Sequence, residues 1–204
     1  MFSGIIKALV KPIKLKKTSK SMSATLPIPK NWKVKEGESI SVDGVCSTIT
    51  RVKDNTFSVF YMPETLRKTT LCQLSNEHLF NLAQSLRLND LIGGHLLSGH
   101  VDTTATLFSS KDEGQAKILR FSIPFKFNRY IVYKGSIAVN GVSLTVSGVD
   151  KKSFVVSLIP YTLQHTNLGK LNIRDAVNIE VDMLAKYLEK LAITKDQPCV
   201  KVDP

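Results

Sequence analysis

Short runs in which apolar and polar residues alternate, broken by turn residues, occupy most of the chain. SISV at 39–42 is followed by Asp43-Gly44 and then by VCSTIT at 45–50. The order returns at 136–146 as SIAV, Asn140-Gly141 and VSLTV. Asp-Gly and Asn-Gly between alternating runs predict hairpins, because both residues of a two-residue turn need positive φ. TFSVFYM (56–62) and SFVVSLI (153–159) predict further strands, which Pro63 and Pro160 end. Side chains alternate along a strand, so Cys46, Thr48 and Thr50 share one face of VCSTIT and Val45, Ser47 and Ile49 the other. Ser143 and Thr145 take the corresponding face of VSLTV, with Leu144 opposite. One helix is predicted: behind Asp182 as N-cap, Leu184, Tyr187, Leu188 and Leu191 recur at i, i+3, i+4 and i+7. Its stripe needs cover, from its own barrel or from other copies. The last ten residues, KDQPCVKVDP, read as a loose tail.

These patterns occur twice because the chain repeats itself. Residues 39–71 lie over 136–168 without a gap, at an offset of 97, with 14 identities in 33 positions. Phe2-Ser3-Gly4 meets Leu97-Ser98-Gly99, and Ile28-Pro29 meets Ile123-Pro124, both at an offset of 95. FNL at 80–82 meets VNI at 177–179. Copies this long are a duplicated domain rather than a solenoid, whose periods are roughly 20–50 residues. The boundary falls at 90–94, where Gly93-Gly94 punctuates the chain. Several short strands per copy predict a small closed β-barrel.

Composition narrows the function classes. Of 204 residues, 43% are apolar, which supports a packed core. No stretch approaches the roughly 18–20 apolar residues of a membrane span. The start MFSGIIKALVKPIKLKK places its lysines after an apolar run, the reverse of a secretory signal, and reads as mature protein. Three cysteines without a CxxC fit a reducing, cytosolic setting. The net charge of +11 invites a nucleic-acid reading. The densest basic stretch, KPIKLKKTSK at 11–20, has no aromatic residue for base stacking, so a solvated basic face is the better account.

Each copy presents a row of small polar side chains that suits a flat polar heterocycle, or merely reflects β-propensity. Thr65 and Thr162 follow the rows. His95 and His100, spaced by five, fall on opposite faces of an extended segment, which argues against joint metal chelation. Either fits a general base or a structural histidine. Cys46 fits a nucleophile or a small half-buried strand residue.

At these residues the chain resembles the riboflavin synthase family, of the trimeric α-subunit type, over about residues 1–190. The motifs are MFSGII, SVDGVC, MPETLRKT, GGHLLSGHVD, YKGSIAVNGVSLTV, IPYTLQHTNLG and VNIEVD. The resemblance implies an all-β fold of two tandem six-stranded antiparallel Greek-key barrels plus a C-terminal helix. It places a first lumazine-binding barrel at 1–91, a second at 92–182, and a trimerisation helix with its tail at 183–204. It implies a cytoplasmic transferase that joins two molecules of 6,7-dimethyl-8-ribityllumazine, giving riboflavin and 5-amino-6-ribitylaminouracil. No metal or cofactor, no nucleic acid and no membrane is implied. The partners are two other copies of the chain, with lumazine synthase as a further one.

The resemblance also carries residue roles. Phe2, Gly4, Ile5 and Ile6 match the start that lines the first-barrel site, and Ser39 and Cys46 match polar residues associated with activity. Cys46, Ser47 and Thr48, then Phe60, Tyr61, Met62, Pro63, Glu64 and Thr65, match the first lumazine site. Ser143, Leu144 and Thr145, then Ile159, Pro160, Tyr161, Thr162, Leu163 and Gln164, match the second. Gly99, His100 and Val101 are further substrate contacts. His100 matches the essential histidine, Lys134 a lysine reaching across the subunit interface, and Asp182 a carboxylate near the second site. Catalysis is thus expected of His100, Cys46, Ser39, Phe2, Ser143 and Asp182. The chain departs from the pattern at Ala83 and Gln84, where an acidic and a basic residue are usual. Ser47 stands where Leu is usual, and Asn140 where Asp is frequent. A non-catalytic carrier of the same fold is the rival, against which the presence of His100, Ser143, Thr145 and Asp182 speaks.

Overall fold

The computed structural model describes residues 1–193; the tail KDQPCVKVDP lies outside them. The first repeat contributes β1 (Ala8–Val10), β2 (Lys14–Lys17), β3 (Met22–Pro27), β4 (Ser39–Val42), β5 (Val45–Lys53), β6 (Thr56–Tyr61) and β7 (Phe80–Gln84). The second contributes β8 (Thr103–Glu113), β9 (Ala116–Ser122), β10 (Ser136–Val139), β11 (Val142–Val149), β12 (Ser153–Leu158) and β13 (Ala176–Val181). The second set closes into a six-stranded antiparallel barrel, β10-β11-β12-β9-β8-β13. The first set has the order β1-β7-β4-β5-β6-β3-β2. That is the same barrel with its first strand in two pieces. Long β8 pairs with both β13 and β9, whereas β1 pairs with β7 and β2 with β3. Pro12 lies in the break, where a missing N–H and a fixed φ end a ladder.

Alternation builds both interiors. Leu26, Val42, Ile49, Phe57, Val59, Phe80 and Leu82 fill the first, and Leu107, Phe121, Val139, Val146, Phe154, Val156 and Ile179 the second. The Phe121 and Phe154 rings stack at 5.4 Å. Each such side chain withdrawn from water contributes about 1.5–3 kcal/mol. Both predicted hairpins form, with Val42 opposite Val45 and Val139 opposite Val142. Their turn residues all have positive φ: 47° and 81° at Asp43 and Gly44, 46° and 76° at Asn140 and Gly141. The two turns meet tip to tip. A Cβ on either glycine would lie 2.7 Å from the other's backbone nitrogen, so glycine is required by contact as well as by φ.

Around these tips runs a buried polar seam joining the barrels. Asp43 Oδ1 accepts from the Asn81 backbone N–H (2.8 Å) and from Asn167 Nδ2 (2.9 Å), and its Oδ2 lies 2.6 Å from His78 Nε2. Asn81 Nδ2 donates across to the Asn140 carbonyl (3.0 Å), and Asn178 Nδ2 donates back to the Asp43 carbonyl (2.9 Å).

The strand-ending prolines also start something. Pro63 and Pro160 open the short helices α1 (Pro63–Lys68) and α3 (Pro160–His165), where a preset φ and an absent N–H suit the first turn. A single turn, α2 (Phe125–Asn128), precedes β10. The late helix α4 (Met183–Ile193) forms as its period predicts, with Asp182 Oδ1 accepting from the Leu184 N–H (3.0 Å). Its polar side is tied to its own barrel by Lys186–Asp102 (2.7 Å), by Glu189–Arg129 (2.7 Å), and by a short hydrogen bond from Tyr130 to Glu189. Leu184, Tyr187, Leu188 and Leu191 remain exposed. No helix among the described residues is long and apolar enough to cross a membrane.

Candidate functional site

Two ledges on the outer surfaces of the barrels gather the site residues. On β5, Val45, Ser47 and Ile49 are buried while Cys46 and Thr48 face out. Ser41 and Ser39 of β4 stand opposite them, as Cα partners of Cys46 and Thr48. Phe60, about half exposed, and the exposed Met62 follow from β6, then Glu64 and Thr65 from α1. On β11, Ser143 and Thr145 face out, opposite Ala138 and Ser136. Ile159 leads into Tyr161, Thr162 and Gln164 of α3, and Ile159 and Tyr161 are exposed.

Not every expected residue presents its side chain. Ser47 and Tyr61 point into the first barrel, where their hydroxyls meet at 3.0 Å. Burial pushes the Tyr61 hydroxyl far above its ordinary pKa, so this pair stays neutral. Leu144 packs towards the second core. Only the backbones of Ser47 and Tyr61 are left for a ligand. Lys134 is exposed on the turn before β10, with Nζ 5.3 Å from the Tyr133 ring centre.

The segments that enter each barrel complete the opposite ledge. Phe2 and Leu97 pair as a short antiparallel bridge between the barrels, both buried. Beyond the bridge the Gly4 carbonyl accepts from the Ser143 N–H (2.8 Å), and the Gly99 carbonyl accepts from the Cys46 N–H (2.8 Å). Both glycines have positive φ, and a Cβ would lie 2.5 Å from Ser143 Cβ or 2.7 Å from Cys46 Cβ. Ile6 packs on the second core and Val101 on the first. Of the opening segment, Gly4 and Ile6 thus lie against the second barrel, while Ile5 faces a cavity shared with Ser39 of the first. His100, carried by the second repeat, follows the glycine that rests on Cys46.

Glu180 anchors one of these segments. This carboxylate is buried on β13, and it accepts from Ser98 N–H (2.7 Å), Ser98 Oγ (2.6 Å) and Gly99 N–H (3.0 Å). Charge-assisted bonds of this kind fix geometry strongly. Ala83 occupies the same place in β7, which is the structural content of the departure noted above: the first segment has no such carboxylate. Sequence reasoning missed Glu180, although a carboxylate amid the buried run VNIEV is a visible signal. It also left His95 unassigned; its Nδ1 lies 2.7 Å from Ser143 Oγ.

A cavity of about 880 Å³ opens beside Ser39 and Ile5, walled by Trp32, Val34, Gln84 and the 85–91 segment. It extends the first ledge at its Ser39 end. Among the described residues no three His, Cys, Asp or Glu side chains gather so as to hold a metal ion.

Paired barrels with matched polar ledges define a duplicated heterocycle-binding protein, and the lumazine binding domain family matches residues 3–83 and again 98–182. The riboflavin synthase of Actinobacillus pleuropneumoniae is 37% identical over 201 residues, covering 97% of this chain and 94% of that one. That of Bacillus subtilis is 37% identical over 189 residues, with coverages of 92% and 88%. That of Schizosaccharomyces pombe is 41% identical over 157 residues, with coverages of 76% and 75%. In fold the chain is similar to LumP complexed with riboflavin, with a TM-score of 0.82 and 24% identity, over 89% of this chain and all of that one. The LumP complex with 6,7-dimethyl-8-(1'-D-ribityl) lumazine gives 0.81 and 22%, over 89% and 99%. The chain belongs to the riboflavin synthase family.

Proposed function

We propose that the protein is a riboflavin synthase, a transferase that moves a four-carbon unit between two molecules of 6,7-dimethyl-8-ribityllumazine. The observation that carries this is the doubling of the ledge. A reaction whose two substrates are the same molecule calls for two similar half-sites. This chain has two, Cys46–Thr48 with Gly99–Val101 and Ser143–Thr145 with Gly4–Ile6.

The chemistry suits these groups. The C7 methyl of the lumazine is acidic because its anion is delocalised over the ring, so a modest base suffices and nearby donors stabilise the carbanion. The second lumazine takes a nucleophile at C7. Holding the two rings face to face supplies much of the acceleration through orientation. Both ledges are open surfaces within one chain, which fits a working site made between the first barrel of one subunit and the second of its neighbour. The exposed Leu184, Tyr187 and Leu188 of α4 fit a trimer built on that helix. The setting is cytoplasmic.

Incubation with 6,7-dimethyl-8-ribityllumazine alone tests the reading. Riboflavin and the pyrimidine should appear in equal amounts, with or without a chelator. Tight binding without product would instead make the protein a carrier.

A further inference from the structure

We infer that His95 is a positioning residue that acts as proton acceptor for the Ser143 hydroxyl in the second half-site. This rests on the reading of the two ledges as lumazine half-sites. The contact is close and built: His95 Nδ1 lies 2.7 Å from Ser143 Oγ. Gly94 makes the approach feasible, since a Cβ there would lie 2.2 Å from the Ser3 carbonyl oxygen and 2.7 Å from Ser143 Cβ. The other ring nitrogen, Nε2, is buried without a hydrogen-bond partner, so the ring's polar contact goes to Ser143. Burial holds the imidazole below its ordinary pKa, while Asp182, at the end of β13, pulls the other way. A neutral ring with its proton on Nε2 offers Nδ1 as an acceptor.

The repeat shows why the second ledge needs this residue. On the first ledge, Gly99 rests on Cys46 and His100 follows. On the second, Gly4 rests on Ser143 and Ile5 follows, which has no titratable group. His95 reaches Ser143 from the other end of the same short segment, so one stretch, His95 to His100, serves both ledges with an imidazole.

The step balances. As Ser143 Oγ bonds to the electron-poor C7 of the bound lumazine, the displaced π pair is taken up by the ring's nitrogen and carbonyl oxygen atoms. The hydroxyl proton moves to His95 Nδ1, where Asp182 favours the cation. When the ring later expels the oxygen, the proton returns, and both side chains are restored.

His95→Gln keeps a hydrogen-bonding group but cannot carry the proton. Its kcat should fall about 10²-fold, the ordinary scale of general-base catalysis, with lumazine affinity nearly unchanged. The acid-side fall of kcat, where the wild-type ring becomes protonated, should vanish. In a Ser143→Ala background the substitution should cost nothing further. Thermal unfolding controls for folding, and His95→Asn is read in the same way should the glutamine variant not fold. An unchanged kcat, a retained acid limb, or an equal loss in the Ser143→Ala background would each overturn the assignment. Failure of the wild-type protein to form riboflavin would overturn the synthase reading, and this inference with it.

Discussion

Asp43 is the single charge at the centre of the seam between the barrels, and its removal gives a quantitative test of how the two halves are joined. The side chain is fully buried. In Asp43→Ala the Asn81 N–H and one Asn167 amide hydrogen lose their acceptor, and each orphaned buried donor costs about 1–3 kcal/mol. His78 is partly exposed and finds water, so it adds little. Alanine must also adopt a φ near 47°, at about 1–2 kcal/mol. The expected loss is about 3–8 kcal/mol, a large fraction of the roughly 5–15 kcal/mol of a typical domain. Asp43→Asn is the control: it repeats Asn140, tolerates the turn, keeps an acceptor for both donors, and should cost only about 1–2 kcal/mol. Denaturant unfolding followed by the one tryptophan, Trp32, which packs against the first core, reads the loss. A loss below about 1 kcal/mol for Asp43→Ala, or equal losses for the two variants, would refute this account of the seam.

Two further outcomes are expected. Gly99→Ala drives a Cβ into Cys46 and should abolish binding at the first ledge alone, while Gly4→Ala should do so at the second; fluorescence titration would show one lumazine bound per chain instead of two, and undiminished stoichiometry in both would refute the placement of the entering segments. Leu184→Ser with Leu188→Ser removes apolar side chains worth roughly 1.5–3 kcal/mol each when buried and should turn trimer into monomer in sedimentation, whereas a monomeric wild type or a trimeric variant would exclude α4 as the joint.

The hairpins are legible in the sequence because their pairing is local, whereas the pairings that close the barrels, such as β3 with β6 and β10 with β13, join distant segments. SISV, a two-residue turn and VCSTIT can pair in one register only if the buried face is to remain apolar, and β4 and β5 form so. The outward side of Cys46, Thr48, Ser143 and Thr145 follows from the same alternation. What periodicity misses is of two kinds. The helical turns after Pro63 and Pro160 are too short to carry a 3.6-residue pattern, although proline at a first turn hints at them. The contacts of Gly4 with Ser143, and of Gly99 with Cys46, join residues far apart along the chain and depend on how one barrel meets the other. Alternation within a strand says nothing of that. The resemblance names candidate residues for both ledges, but only the fold shows that Gly4 and Ile6 rest on the second barrel while Ile5 faces the cavity beside Ser39.

The crossing at Phe2 and Leu97 bears on how such a protein arises from a single ancestral repeat. Each entering strand rests on the barrel that is not its own, so one repeat, cut loose, would hold half a site and an apolar arm with nothing beneath it. Two identical repeats can cure both defects by trading arms, each lending the other its glycine and the residues beyond. Covalent duplication then makes that exchange permanent and frees the two arms to diverge. Ile5 in one and His100 in the other record that divergence, which only a fused pair permits: a symmetric dimer must carry the same side chain in both places.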